Sequence, residues 1–174
     1  WILTGALAWA RLIPREDARN GGDDDLGEPW AVPLAEARLS TFLAADKSNT
    51  DDAPDAFLSG AITDAQSRYN LTNLIAQGAI DPVELAAFSR LCEAIGAPGD
   101  VAGRIANGLL AAQGAAGSAG IDPAAPLLPR SVGQLGWLGV DAETVRLLAP
   151  YVVLLPIATP VNINTASREV LVAA

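Results

Sequence analysis

The first 13 residues are apolar on nearly every side of the helix that their spacing predicts. One flank carries Ile2, Ala6, Trp9 and Ile13, and another carries Leu3, Leu7 and Ala10. Such a helix must be covered by other parts of a protein, and Pro14 is expected to end or kink it. The run is shorter than the ~20 residues of a membrane-spanning helix and begins without methionine. We therefore expect the sequence to be a trimmed piece of a longer protein.

Composition removes several functional classes. The 174 residues include no histidine and one cysteine, Cys92. Without histidine, the usual general base is missing, and Cys92 falls on the apolar face of a predicted helix, where its thiol has no adjacent base. We therefore predict a protein without catalytic activity. The net charge of −9 disfavours nonspecific binding to nucleic acids or anionic membranes. Apolar residues make up 51% of the chain but aromatic residues only 5%, which favours helical packing of small side chains.

The first 73 residues show few helical signals after the opening run. Residues 23–55 are acidic and interrupted by prolines. Farther along, Phe57, Ile62, Tyr69 and Leu71 flank turn-forming residues, which predicts a short β-hairpin.

Helical start signals dominate after residue 74. Asp81-Pro82-Val83-Glu84 combines a cap, a proline at the first helical position and a carboxylate at the third, and so predicts a helix that runs through Ile95. Further helices are predicted over residues 99–113, 131–138 and 141–149.

Several segments then follow a recognisable order. After the apolar amino-terminal helix come Gly27-Glu28-Pro29-Trp30-Ala31, the run from Gly60 to Leu74, Ser131-Val132-Gly133-Gln134-Leu135 and Val161-Asn162-Ile163-Asn164-Thr165-Ala166. In this order the sequence resembles the minor pseudopilin K family of type II secretion systems, and residues 64–74 and 162–166 look like its two signatures. The resemblance implies an α+β pseudopilin fold, in which a long amino-terminal helix packs on a small antiparallel sheet and a large all-α domain is inserted.

The resemblance also implies a domain organisation. Residues 1–73 would form the pseudopilin core, with the amino-terminal helix and the first strands, and residues 74–174 the inserted α-helical domain. The later strands of the core, the membrane-inserted half of the helix and the prepilin processing site are not in the sequence. The full-length protein is expected in the periplasm, anchored in the inner membrane within the type II secretion apparatus.

For such a protein the opening helix has two interpretations. It could simply pack on its own sheet, or its other flank could bind the helices of partner pseudopilins, and the two distinct apolar flanks favour the second. The expected partners are minor pseudopilins I and J, and H through the complex at the pseudopilus tip, where the protein would nucleate and cap the fibre. The predicted partner-binding residues are Ile2, Leu3, Ala6, Leu7, Trp9, Ala10 and Ile13.

An acidic stretch is the candidate metal site. Hard oxygen ligands for calcium are available from Asp46, Asn49, Asp51, Asp52 and Asp55. Asp23, Asp24, Asp25 and Glu28 form a second candidate group, for which a disordered acidic segment is the competing interpretation. Composition alone also fits a solvated acidic loop, but the family resemblance implies bound calcium.

A nucleic-acid module is the alternative function. Residues 161–166 also look like the opening of a helix-hairpin-helix unit of the DNA-uptake type, with a helix that begins near Ala166 and is capped by Asn164 or Thr165. Residues 121–174 contain three arginines and four carboxylates, which gives this segment a net charge of −1. Phosphate binding instead requires clustered cations. Charge therefore disfavours this alternative.

Overall fold

The computed structural model describes residues 2–38, 57–117 and 124–174. The chain forms two compact units, residues 1–64 and residues 65–174. This boundary lies nine residues before the predicted one between residues 73 and 74, because Tyr69, Leu71 and Leu74 are buried in the core of the second unit.

None of the helices in the described part of the chain is long and apolar enough to cross a membrane.

The first unit combines two helices with a two-stranded antiparallel sheet. Its elements are α1 (Ile2–Ala10), α2 (Leu12–Asn20), a 3-10 helix (Pro29–Ala31), β1 (Leu34–Arg38) and β2 (Phe57–Gly60). In the sheet Leu34 pairs with Gly60 and Arg38 with Phe57, with an irregularity in register between them.

The second unit is mainly helical. Its helices are α3 (Pro82–Ala94), α4 (Val101–Gly117), α5 (Ala142–Leu148) and α6 (Arg168–Ala173), with 3-10 helices at Ala65–Ser67, Leu71–Leu74 and Val132–Leu138. Its short strands are β3 (Tyr69–Asn70), β4 (Ile75–Ala76), β5 (Ala79–Ile80) and β6 (Val152–Val153). The coarse prediction of an α+β chain is therefore confirmed.

Two predicted helix starts are confirmed in detail. The Asp81 carboxylate accepts hydrogen bonds from the backbone N–H groups of Val83 (2.8 Å) and Glu84 (3.3 Å), and Pro82 is the first residue of α3. The Asp141 carboxylate caps α5 in the same way. In both cases a local side-chain bond satisfies donors that the first helical turn leaves open.

Two other helix predictions need correction. Residues 132–138 form a 3-10 helix in which Ser131 makes no side-chain cap, and the Gln134 side chain accepts from the backbone N–H of Arg130. The last helix begins at Arg168, two residues later than predicted, because the Ser167 hydroxyl caps it.

The predicted hairpin over residues 57–71 is wrong. Phe57 belongs to β2, which pairs with β1, whereas Tyr69 belongs to β3, which pairs in parallel with β6. The second pairing joins Tyr69 to Val152 and Asn70 to Val153. Contacts between residues distant in sequence thus override the local turn signals.

One apolar core holds the second unit together. Phe88 is fully buried and its ring stacks on that of Tyr69, with 5.4 Å between ring centroids. The other fully buried side chains include Leu71, Leu74, Leu91, Ile105, Leu109, Leu135, Leu148, Val152 and Val170. They include side chains from each of the four α-helices described in this unit, so the core depends on both ends of this part of the chain.

Candidate partner-binding site

Pro14 shapes the amino-terminal helix. Proline has no N–H group, so the carbonyl of Ala10 loses its helical donor, and the helix breaks at Arg11 between α1 and α2. The Arg11 N–H still donates to the Leu7 carbonyl at 3.1 Å, and α2 continues to Asn20. Gly21, with φ of 70°, then ends α2, as the Asn20-Gly21-Gly22 sequence predicts.

An open apolar groove runs along α1 within the first unit. Its volume is about 550 Å³, and one wall contains Ala6, Leu7, Trp9, Ala10 and Ile13. The two predicted flanks of the helix thus meet at one groove. Ile2 and Leu3 also lie in α1, but their side chains fall outside the described part of the chain. We call this feature the amino-terminal groove.

The opposite wall contains residues that the sequence did not single out. They are Pro29, Trp30, Val32, Pro33, Leu34, Ala35 and residues 58–62. Trp30 is buried, and its indole N–H donates to the Glu28 carboxylate at 2.6 Å. The alternation of apolar side chains at Val32 and Leu34 was a weak strand signal that could have indicated part of this wall.

The groove leaves large apolar side chains in contact with water. Leu7 is 60% exposed and Trp9 45% exposed. Contiguous exposed apolar surface of this kind usually marks an interaction site. The arrangement has the chemistry of a docking surface, since apolar side chains carry no group that activates a substrate.

Three carboxylates converge at the far end of α2. Oxygen atoms of Asp17, Asp24 and Glu28 all lie within 4.8 Å of one another. Partial loss of water contact raises the pKa of Asp17, and the neighbouring Glu28 and Asp24 carboxylates raise it further. The pKa of Glu28 is lowered, first by the hydrogen bond from the Asp25 backbone and then by that from Trp30. We call these three residues the carboxylate cluster.

The carboxylate cluster overlaps only in part with the predicted metal candidates. It contains Asp24 and Glu28 of the second predicted group and adds Asp17 from α2. The Asp25 carboxylate instead accepts a hydrogen bond from the Gly27 backbone at 2.6 Å. The first predicted group, Asp46, Asn49, Asp51, Asp52 and Asp55, lies outside the described residues.

In the second unit, two asparagines bind a distant segment. The buried Asn70 side chain donates to the Ile157 carbonyl (2.8 Å) and the Thr159 hydroxyl (3.0 Å), and accepts from the backbone N–H groups of Thr72 and Leu155 (both 3.1 Å). Asn73 exchanges two hydrogen bonds with the Thr159 backbone. This pair, which we call the asparagine clasp, has a structural role.

Residues 67–157, just over half of the chain, match the family model described as type II secretion system (T2SS), protein K. The chain belongs to the type II secretion system protein K family. The resemblance found in the sequence is thereby confirmed.

Relatives of this protein K family chain agree with the match. The type II secretion system protein K of Pseudomonas aeruginosa is 30% identical over 190 aligned residues, which cover 97% of this chain and 53% of that protein. A chain in the crystal structure of the GspK-GspI-GspJ complex from enterotoxigenic Escherichia coli has the same fold, with a TM-score of 0.71 at 19% identity. That similarity covers 99% of this chain and 64% of the other. The chain thus spans about half the length of the protein K relative.

The protein K match covers the asparagine clasp and most of the helical unit, whereas the amino-terminal groove lies outside residues 67–157. The comparisons give no support to the helix-hairpin-helix alternative. In the structure the Asn162 side chain accepts from the backbone N–H of Asn164 at 3.0 Å, which is a local turn contact.

Two side chains with potentially reactive groups, Cys92 and Tyr69, are core residues of the helical unit. Cys92 is only 3% exposed, and burial raises the pKa of its thiol to about 11. Burial also raises the pKa of Tyr69, and the Glu84 carboxylate, which accepts from its hydroxyl at 2.8 Å, raises it further. At neutral pH both groups stay protonated, which suits packing better than nucleophilic chemistry.

Proposed function

We propose that the chain is part of a minor pseudopilin at the tip of the type II secretion pseudopilus, without catalytic activity. In this proposal it assembles with minor pseudopilins I and J, and with H through the tip complex, and so nucleates and caps the fibre. The full-length protein would lie in the periplasm, anchored in the inner membrane. Family membership and the fold shared with a chain of the GspK-GspI-GspJ complex support the proposal.

The amino-terminal groove is the observation that carries this function. Burying a Leu or Ile side chain contributes about 1.5–3 kcal/mol, so three or four such anchors offset the cost of ordering a partner helix. Leu7 and Trp9 are exposed at the groove, and we propose that their apolar surfaces serve as anchors. We therefore place the I and J contacts along α1.

The two units fit the proposed capping role. We assign the first unit to the pseudopilin core, with β1 and β2 as the first strands of its sheet, and the helical unit to the inserted domain. The later strands of the sheet would come from outside the present sequence. The bulk of the helical domain would then prevent further subunits from stacking on the tip.

A binding assay with the soluble I and J proteins tests this function. Leu7→Asp places a charge in the amino-terminal groove and is expected to abolish capture of the chain by either partner. Val83→Asp is the matched control, because Val83 is 74% exposed but belongs to the helical unit. A native chain that stays monomeric with both partners, or equal capture of the two variants, would contradict the proposal.

We also propose that the chain binds calcium. Carboxylate oxygens are the ligands calcium prefers, and the carboxylate cluster brings three of them together. The raised pKa of Asp17 fits this assignment, since a divalent cation would neutralise the repulsion among the carboxylates. Residues 46–55 remain the other proposed location.

Thermal melting with calcium and with a chelator tests the calcium proposal, because a ligand bound only by the folded state raises its stability. Asp24→Asn is expected to remove the calcium-dependent rise in Tm, whereas the neighbouring Asp23→Asn leaves it intact. If calcium still stabilises Asp24→Asn, the site lies at residues 46–55. If calcium does not stabilise the native chain, the proposal is wrong.

A further inference from the structure

The helical unit contains a cleft that takes no part in the proposed functions. It has a volume of about 340 Å³ and lies between α4, the chain before the 3-10 helix Val132–Leu138 and the chain after β6. The buried Leu109 and the half-buried Leu154 and Leu155 make its surface largely apolar. Gln113 and Arg130 supply its longest polar side chains. We call it the Arg130 cleft.

The two longest polar side chains of the cleft are available for a ligand. Within the described residues, the Arg130 guanidinium makes no hydrogen bond or ion pair, and the Gln113 amide makes none either. By contrast, Arg90, Arg104 and Arg146 of the same unit each donate to a main-chain carbonyl. Arg130 is thus a cation beside an apolar surface, in a chain whose net charge is −9.

From this combination we infer that the Arg130 cleft binds the carboxy-terminal residue of a protein chain that ends in an apolar side chain. In a carboxy-terminal residue the carboxylate and the side chain share one Cα atom. A single residue can therefore place its side chain against Leu154 and Leu155 and pair its carboxylate with Arg130, whose guanidinium favours two-pronged carboxylate binding. The Gln113 amide can donate to or accept from the preceding peptide group.

The size and rigidity of the cleft fit this ligand. Its volume is at the lower end of the range for ligand pockets, about 300–1,000 Å³, which suits one or two residues and excludes a helix. One wall is fixed in place, because the Leu155 backbone accepts from the Thr72 hydroxyl at 2.7 Å and donates to Asn70 of the clasp. A preformed wall lowers the ordering cost of binding. The inference does not depend on the proposed function.

The test uses the dipeptide N-acetyl-Leu-Leu with a free carboxylate and the same dipeptide as its carboxamide. Titration of the whole isotope-labelled chain, followed by amide NMR shifts, is expected to show the acid binding about tenfold more tightly than the amide. The largest shifts should fall at Gln113 and Leu155. Equal binding of the two dipeptides, or no shift with either, would overturn the inference.

Two further arms assign the contact. Arg130→Gln should erase the preference for the acid, whereas Arg146→Gln, which removes the same charge elsewhere in the unit, should keep it. A capped peptide that carries its carboxylate on an internal aspartate should bind as weakly as the amide. A preference that survives in Arg130→Gln, or tight binding of the internal aspartate peptide, would show that the cleft does not recognise a chain end.

Discussion

Replacing Asn70 with alanine should strongly destabilise the helical unit. The Asn70 side chain is 1% exposed and makes four hydrogen bonds, two as donor and two as acceptor. Alanine makes none of them. Three partly buried backbone groups would then lose their hydrogen-bond partner: the N–H groups of Thr72 and Leu155 and the carbonyl of Ile157.

The expected loss follows from these four bonds. A net contribution of about 1 kcal/mol for each gives about 4 kcal/mol, and we expect the unfolding free energy to fall by about 3–5 kcal/mol once water reaches some of the freed groups. A domain typically has only about 5–15 kcal/mol of stability in total. The variant should therefore lose a large share of the stability of the unit and unfold at a clearly lower urea concentration.

Urea unfolding followed by circular dichroism at 222 nm measures this change, because most of the helix in the described residues lies in the second unit. Asn107→Ala is the matched control. Asn107 is exposed and donates one hydrogen bond, to the Gly103 carbonyl of its own helix, so its removal should change the free energy by less than about 0.5 kcal/mol. Equal midpoints for the two variants would show that the clasp does not hold the unit together.

Three other predictions use separate features. Gly108→Ala should lower Tm because the added Cβ would lie 3.0 Å from the Cβ of Leu138. Gly103→Ala should raise Tm, because a Cβ added there meets open space and alanine favours the helix. Equal Tm shifts for the two variants would contradict the close packing of Gly108 on Leu138. Cys92 should resist a thiol reagent at pH 8 until the chain unfolds, because burial raises its thiol pKa to about 11; rapid labelling of the folded chain would refute this. In metal-free buffer, Asp17→Asn should raise Tm at pH 7, because the raised pKa of Asp17 in the folded chain means that its ionisation lowers stability as pH increases. Below pH 3.8, the ordinary pKa of the group, the Asp17 carboxyl is protonated in both states and the substitution should no longer raise Tm. An equal rise in Tm at pH 7 and below pH 3.8 would argue against the carboxylate cluster.

Local chemistry made part of the fold predictable. Asp81 and Asp141 cap their helices as expected, because a cap depends on residues only two or three positions away. The strand pairing of Tyr69 and Asn70 was not predictable from local sequence. Their strand partners lie more than 80 positions along the chain, at Val152 and Val153, and no local pattern encodes such a pairing.

The same limit applies to the candidate site. Five of the predicted partner-binding residues line the amino-terminal groove, because helical periodicity places them together. The wall that contains Trp30 and Leu58 depends on how β1 and β2 fold against the helix, which spacing does not reveal. Asp17 joins Asp24 and Glu28 for a similar reason, since Gly21 turns the chain back between them.

The reach of the Asn70 side chain sets an order of events during biosynthesis. Its partners Leu155, Ile157 and Thr159 come 85, 87 and 89 positions later. In a chain made or translocated from its amino terminus, Phe88 and Leu91 therefore emerge well before the segment that completes their core. Until that segment follows, these side chains lack their full core, and transiently exposed apolar side chains of this kind favour aggregation.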